Sequence, residues 1–443
     1  MAAVTSVTFE AAHARPESRV WRNAGWSLCG AALPMAAAAF VLPRLIERLG
    51  ANRFGLLTIA WTLVGYLSLF DFGVGRSLTK LVAERLGWSD TAEVETLWAG
   101  SMALLLIQGI VGAAALVLLA PWLTGSVLKI PAGLQHEAQI SLYYVALIVP
   151  LVTISAGLRG FLEAHCAFLS LNIVKVGLGV CGFVGPLFAT QWSISVTISI
   201  LTLLAARAAA CAGYFVLCLR IANSRLRFAV PSRRQLGALL RLGGWMTVSN
   251  LVSPLMASFD SFVIGALISV SQIQYYSVPA EAVNKGLLVP SSLAVVLFPV
   301  FSSLYAMDRR RAERLYTRSI AYLAIYLAPF ALACIVFARF GLTLWLGPEF
   351  AQRSYRVAQV IALGVFMNGI ASVPFALLQA SGRPDITARL HLLELPLYAA
   401  AVFVLTSQFG VTGAAVAWTG RVAFDAILLL MCSPVRLRFG TLT

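Results

Sequence analysis

The stretch from Gly55 to Gly87, GLLTIAWTLVGYLSLFDFGVGRSLTKLVAERLG, decides how this chain is read. Its first sixteen residues, Gly55 to Phe70, carry no charge; Asp71, Arg76, Lys80, Glu84 and Arg85 then follow before the helical pattern has reason to stop. About 20 apolar residues carry a helix across the hydrocarbon core of a bilayer. A helix starting at Gly55 puts Asp71 roughly 24 Å along its axis, still inside the apolar layer. An ionised group at that depth is costly and normally faces protein or a watery cavity. Gly73 and Gly75 loosen the helix just beyond the acid. Arg76, Lys80 and Arg85 also suit the plain role of anchoring a cytoplasmic helix end. Asp71 is not explained that way.

Composition agrees with a membrane reading. Of 443 residues, 60% are hydrophobic and 12% charged, against roughly 25% charged in a soluble domain, and the mean hydropathy is +0.85. These values exclude a soluble globular fold. The net charge of +15 is tested first against the bias of basic residues toward cytoplasmic loops, before any nucleic-acid partner is considered. The seven Cys are scattered singly through apolar segments and the four His form no cluster, so buried thiols are expected, with no metal and no cofactor. No GxxxxGK[ST] motif and no long polar block is present, so neither an ATP-driven motor nor an enzyme domain is expected.

Residues 1–19 are polar, and the segment 20–43 is too long for a signal-peptide core, so it is expected to stay in the protein. Twelve apolar segments follow one another, at about 20–43, 54–75, 97–121, 140–162, 167–190, 194–219, 242–267, 275–304, 319–345, 355–379, 387–408 and 411–432. With the N-terminus inside, 22 basic residues, Arg159 among them, fall on the cytoplasmic side. Seven fall outside: Arg44, Arg48, Arg53, Lys129, Arg339, Arg353 and Arg356. That split predicts both termini in the cytoplasm. The polar connection RIANSRLRFAVPSRRQLGALLR at 220–241 divides the helices six and six. An N-terminal lobe at 1–222, a cytoplasmic linker at 223–241 and a C-terminal lobe at 242–443 are therefore expected. The halves repeat: Arg22-Asn-Ala-Gly25-Trp26 with Pro34 matches Arg241-Leu-Gly-Gly244-Trp245 with Pro254, and Ala164 stands to Arg207 nearly as Ala380 stands to Arg421. Six helices per half predict an all-α integral membrane protein whose lobes are related by a pseudo-two-fold axis along the membrane normal.

Four basic residues remain inside spans: Lys175, Arg207, Lys285 and Arg421. Each is expensive alone; together, with Arg76, they would make a cationic cavity suited to a diphosphate, Arg by bidentate hydrogen bonds and Lys as a point charge. Internal neutralisation is the competing reading. Glu281 and Lys285, Arg421 and Asp425, and Arg159 and Glu163 are each four apart, and such pairs share a helix face. Asp260 falls at nearly the depth of Lys285. Lys175 and Arg207 have no acid at that spacing and are the strongest cargo candidates. Asp71, Asp260, Glu281, Glu394 and Asp425 are candidates for carrying a coupling proton or sodium ion, with helix–helix locking as the alternative. The run RRRAERLYTR at 309–318 is expected to meet anionic membrane lipids.

Gly55 followed by Asp71, Gly73 and Gly75 with basic residues beyond resembles the second helix of Wzx-type polysaccharide flippases, in the multidrug/oligosaccharidyl-lipid/polysaccharide exporter superfamily. Tyr276-Ser-Val-Pro279 with Lys285 and Phe298-Pro299 is similar too, as are Gln379-Ala-Ser-Gly-Arg-Pro-Asp385, Glu394-Leu-Pro-Leu-Tyr398, Gly410 and Arg421. The resemblance implies a multi-pass protein of the bacterial inner membrane and no enzymatic activity. Its implied task is moving a polyprenyl-diphosphate-linked oligosaccharide between leaflets by alternating access. It implies a cationic cavity for the pyrophosphate, and leaves room for a proton or sodium counter-ion and a glycan polymerase complex. The alternative within the superfamily is a multidrug/cation antiporter, which needs a net acidic cavity. A membrane-bound glycan polymerase or ligase needs a catalytic constellation on an external loop, and the longest such loop, about 122–139, offers only Lys129, His136 and Glu137.

Overall fold

A computed structural model describes residues 16–67, 71–127, 130–222 and 232–435. Its principal α-helices are α1 (Pro16–Leu67), α2 (Val74–Gly87), α3 (Thr91–Trp122), α4 (Gln135–Ala164), α5 (Phe168–Ala189) and α6 (Val196–Ile221). There follow α7 (Arg233–Leu267), α8 (Ile273–Asn284), α9 (Leu288–Met307), α10 (Arg309–Leu346), α11 (Pro348–Ala380) and α12 (Pro384–Cys432). No strand occurs among the described residues. Local chemistry starts several of these helices. The Asp90 carboxylate accepts from Glu93 N at 3.2 Å to cap α3, and Asp308 accepts from Arg311 N at 3.1 Å to cap α10. Pro348 and Pro384 open α11 and α12, where a missing N–H costs nothing.

Ten of these helical stretches are long and apolar enough to cross a membrane. Two of the helices are too long for one crossing. α1 has 52 residues and α12 has 49, about 75 Å of helix against a hydrocarbon core of about 30 Å. Each is interrupted by a glycine at positive φ, Gly50 (φ 71°) and Gly410 (φ 61°), a conformation that side chains with a Cβ seldom adopt. Beyond Gly410 the chain lies against its own preceding turn, so that a Cβ on Gly413 would overlap the Leu405 carbonyl. Counting both arms of α12, and the second arm of α1 continued by α2, the chain makes twelve crossings. It is an all-α, multi-pass membrane protein.

The second crossing departs from the continuous helix expected over 54–75. Helix begins at once after Gly50, with no connecting loop, and α1 is described as far as Leu67. Phe72 (φ 44°) and Gly73 (φ 69°) both take left-handed conformations, and helix resumes at Val74. Asp71 therefore sits just before an interruption of the helix, where its Oδ1 accepts from Gly73 N at 3.0 Å.

The chain forms two compact units, Met1–Gly244 and Trp245–Thr443. Helix α7 begins at Arg233, so residues 233–241 of the expected linker are helical; residues 223–231 lie outside the described residues, as do Lys129, Arg436 and Arg438. Within the first unit, side chains pack into two separate apolar clusters. One holds Trp98, Leu158, Phe161, Ala210 and Tyr214; the other holds Leu45, Leu57, Val145, Val149 and Leu203. Along α6 the two are divided at Arg207, between Leu203 and Ala210. In the second unit, Ala371, Leu378, Ala426 and Leu429 bind α11 to the last arm of α12.

Candidate functional site

In the first unit, Gly75 of α2 and Gly160 of α4 bring two backbones into contact. A Cβ on Gly160 would overlap the Gly75 carbonyl, and one on Gly75 would stand 2.9 Å from the Ala156 carbonyl oxygen. Small residues permit such close crossings in membranes. The contact sets Asp71 within electrostatic reach of both Arg76 and, on α4, Arg159. Arg159 acts in turn on Lys175 of α5 and Arg207 of α6. Glu163, one turn along α4, reaches Arg159, Arg76 and Lys175. Four cations thus share a neighbourhood with two acids. Arg76 is exposed, while Arg159, Glu163, Lys175 and Arg207 are half-buried. Arg207 lies eleven residues into α6, about 17 Å from its start, which is mid-membrane depth. Lys80 is held apart by its ion pair with Glu84, and Arg85 pairs with Glu93 at 3.0 Å and lies 4.8 Å from the Trp88 ring. These two fit the anchoring role.

The second unit holds a different arrangement. Asp260 on α7 is 1% exposed and accepts hydrogen bonds from the hydroxyls of Tyr276 on α8 and Tyr398 on α12. The Arg421 guanidinium lies 5.3 Å from the Tyr398 ring and 3.8 Å from Glu394 Oε2. Glu394, 1% exposed, meets Asp425, and Asp425 also reaches His391, whose ring stacks on Phe375 at 5.9 Å. Neither oxygen of Glu394, nor Asp425 Oδ1, has a hydrogen-bond donor among the described residues. Three buried carboxyl groups thus face one arginine.

The sequence-derived candidates divide accordingly. Arg76, Lys175, Arg207 and Asp71 come together in the first unit; Asp260, Glu394, Asp425 and Arg421 come together in the second. Lys285 and Glu281 are exposed, Lys285 on a 3₁₀ turn between α8 and α9, and Asp260 takes its partners from two tyrosines instead of Lys285. Arg421 pairs with Glu394 across the arms of α12 at 3.8 Å and also acts on Asp425, which is nearer in sequence. Sequence reasoning placed Arg159 at a cytoplasmic helix end. Helix α4 continues to Ala164 and makes Arg159 the hub of the cationic group; its spacing to Glu163 was the available signal. Tyr276 and Tyr398 stood out only as members of the family-like motifs and His391 not at all, because only folding brings them to the acids.

A family profile described as polysaccharide biosynthesis protein matches residues 20–305, more than half of the chain. The chain belongs to the polysaccharide biosynthesis protein family. It is similar to a family relative named as an O-antigen transporter in Shigella flexneri, 29% identical over 411 residues, covering 92% of this chain and 96% of that one. It is also similar to a protein named as the flippase AglR in Haloferax volcanii, 22% identical and covering 89% and 79% of the two chains. These relatives are named as transporters and flippases, not as enzymes. Among solved structures, a MATE protein in its bent conformation superposes with a TM-score of 0.82 at 15% identity, covering 96% of each chain. The Vibrio cholerae MATE transporter VcmN in its bent form gives 0.79 at 15% identity, again over 96% of each. At such identity the likeness extends to the twelve-helix, two-lobe fold.

Proposed function

We propose that this protein is a flippase of the bacterial inner membrane, with both termini cytoplasmic, that moves a polyprenyl-diphosphate-linked glycan from the cytoplasmic to the outer leaflet. The observation that carries the reading is the group of exposed Arg76 and half-buried Arg159, Lys175 and Arg207, which exceeds Asp71 and Glu163 by two positive charges inside membrane-crossing helices. A diphosphate balances that excess. The guanidiniums supply bidentate hydrogen bonds to its oxygens and Lys175 a point charge. Exposing the group alternately to the two sides of the membrane moves the headgroup while the lipid tail stays in the bilayer. Carrying two negative charges out of a negative interior is favoured by about 4–5 kcal/mol at 100 mV.

The same excess charge must be reset once the cargo leaves, and the second unit supplies the means. Asp260, Glu394 and Asp425 outnumber Arg421, and uncompensated buried charge is costly, so a bound proton or sodium ion would complete the network. These acids are 1–8% exposed. They are closed to a cargo-sized organic cation, which favours a small coupling ion over multidrug export. Arg421, engaged with Glu394 and Tyr398, then belongs to coupling, and Lys285 stays a cargo contact on the exposed surface.

Flipping of labelled lipid-linked glycan in proteoliposomes tests the reading. Arg207→Ala and Arg159→Ala should abolish transport, and Lys at either position should retain part of it, since charge persists while the fork is lost. Folded, membrane-inserted Ala variants that flip at the wild-type rate would show that this group does not hold the cargo.

A further inference from the structure

Seven basic residues fall on the predicted outward side, and three of them, Arg339, Arg353 and Arg356, gather in the second unit where α10 ends and α11 begins. Tyr355 carries two guanidiniums. The Cζ of Arg339 lies 6.0 Å and that of Arg356 5.8 Å from its ring centroid, and Arg356 Nε donates to the Tyr355 hydroxyl at 3.0 Å. Beside them Arg353 stands 5.3 Å from the Tyr275 ring and donates to its hydroxyl at 3.3 Å, while Tyr275 packs on Phe350 at 5.0 Å. Arg353 is neutralised by Glu349 at 3.0 Å. Among the described residues, Arg339 and Arg356 have no acidic partner, and both are exposed.

Two like charges held on one ring repel each other, and the ring face offsets only part of that. Two guanidiniums held around one ring with no acid beside them offer charge and planar donors to an anion carrying two charges. Gln359 Nε2 donates to the Ile335 carbonyl at 2.8 Å and fixes α11 against α10 one turn deeper. Arg339 is seven residues from the end of α10, about 11 Å, within snorkelling distance of the headgroup layer. Around it α10 exposes Val336, Phe337, Phe340, Leu344 and Trp345, a surface for acyl or prenyl chains. The fitting occupant is therefore a lipid with two negative charges at its head, lying beside the Tyr275, Phe350 and Tyr355 rings.

We propose that Arg339 and Arg356 form a second, outward docking site for the diphosphate of the lipid-linked glycan, where cargo rests after crossing. The proposal rests on the flippase reading and its orientation, but not on which residues hold cargo in mid-membrane. The full-length protein in nanodiscs of zwitterionic lipid, probed by native mass spectrometry with a polyprenyl diphosphate bearing no sugar, tests it. Wild type should retain two probe molecules, while R339Q/R356Q and R207A should each retain one. The site lost in R339Q/R356Q should bind about tenfold more weakly, and R339K/R356K should fall between, which guards against misfolding of the Gln variant. If R207A keeps both probes while R339Q/R356Q loses one, the outward site stands and the mid-membrane assignment fails. A folded R339Q/R356Q that binds both as wild type does overturns the outward site. So does equal displacement of the probe by phosphatidylglycerol, which would mark a general anionic-lipid patch.

Discussion

The pairing of Arg421 with Glu394 across the two arms of α12 yields a quantitative prediction. At 3.8 Å and an effective dielectric constant of about 20, the Coulomb attraction of Arg421 for an ionised Glu394 is about 4 kcal/mol. Little water screens it, since the side chains are 12% and 1% exposed. Arg421→Met fills the same space without the charge and leaves Glu394 buried beside Asp425. Stranding one member of a buried pair costs about 3–5 kcal/mol, to which loss of the stacking on Tyr398 adds about 1 kcal/mol. Glu394→Gln should cost less, because Arg421 keeps the Tyr398 ring and the nearby Asp425. The double variant Arg421→Met/Glu394→Gln removes both charges and should recover most of the loss, giving a coupling energy of about 3 kcal/mol. Equilibrium unfolding in mixed micelles, monitored for all four proteins of the cycle, measures it. A coupling below about 0.5 kcal/mol, the value of an exposed pair, would refute the buried ion pair as the link between these arms.

Two further outcomes follow from the same groups. Asp425→Asn should leave binding of the lipid-linked glycan intact in proteoliposomes yet remove any response of flipping to an imposed proton or sodium gradient; a variant that responds as wild type does would shift coupling to Glu394 or Asp260. Reporter fusions should place residues 312 and 440 in the cytoplasm and residue 350 outside, and a fusion at 350 reporting cytoplasm would invert the orientation and with it the outward docking site.

The run of twelve apolar segments, their lengths and the interruptions at polar connections were legible in the sequence. The bilayer imposes them locally: each crossing needs its own apolar helix, whatever its neighbours do. Mid-span charges such as Lys175, Arg207 and Arg421 were equally visible, because any ionisable residue in such a helix stands out against its surroundings. What those charges do was decided by folding. A search along one helix finds acids three or four residues away, but Glu163 reaches Lys175 from another helix, Glu394 meets Arg421 across the Gly410 turn, and Asp260 is satisfied by hydroxyls from two other helices. Gly73 signalled a loosened helix, but the left-handed turn that it makes together with Phe72 was hidden, since an apolar run does not reveal where its backbone hydrogen bonds stop. Sequence alone thus determined that the chain crosses a membrane twelve times and carries buried charge. The tertiary contacts decided that the cations of the first unit stay accessible while the acids of the second are sealed, because helix packing, set by residues such as Gly75 and Gly160, fixes which side chains share a depth and a face.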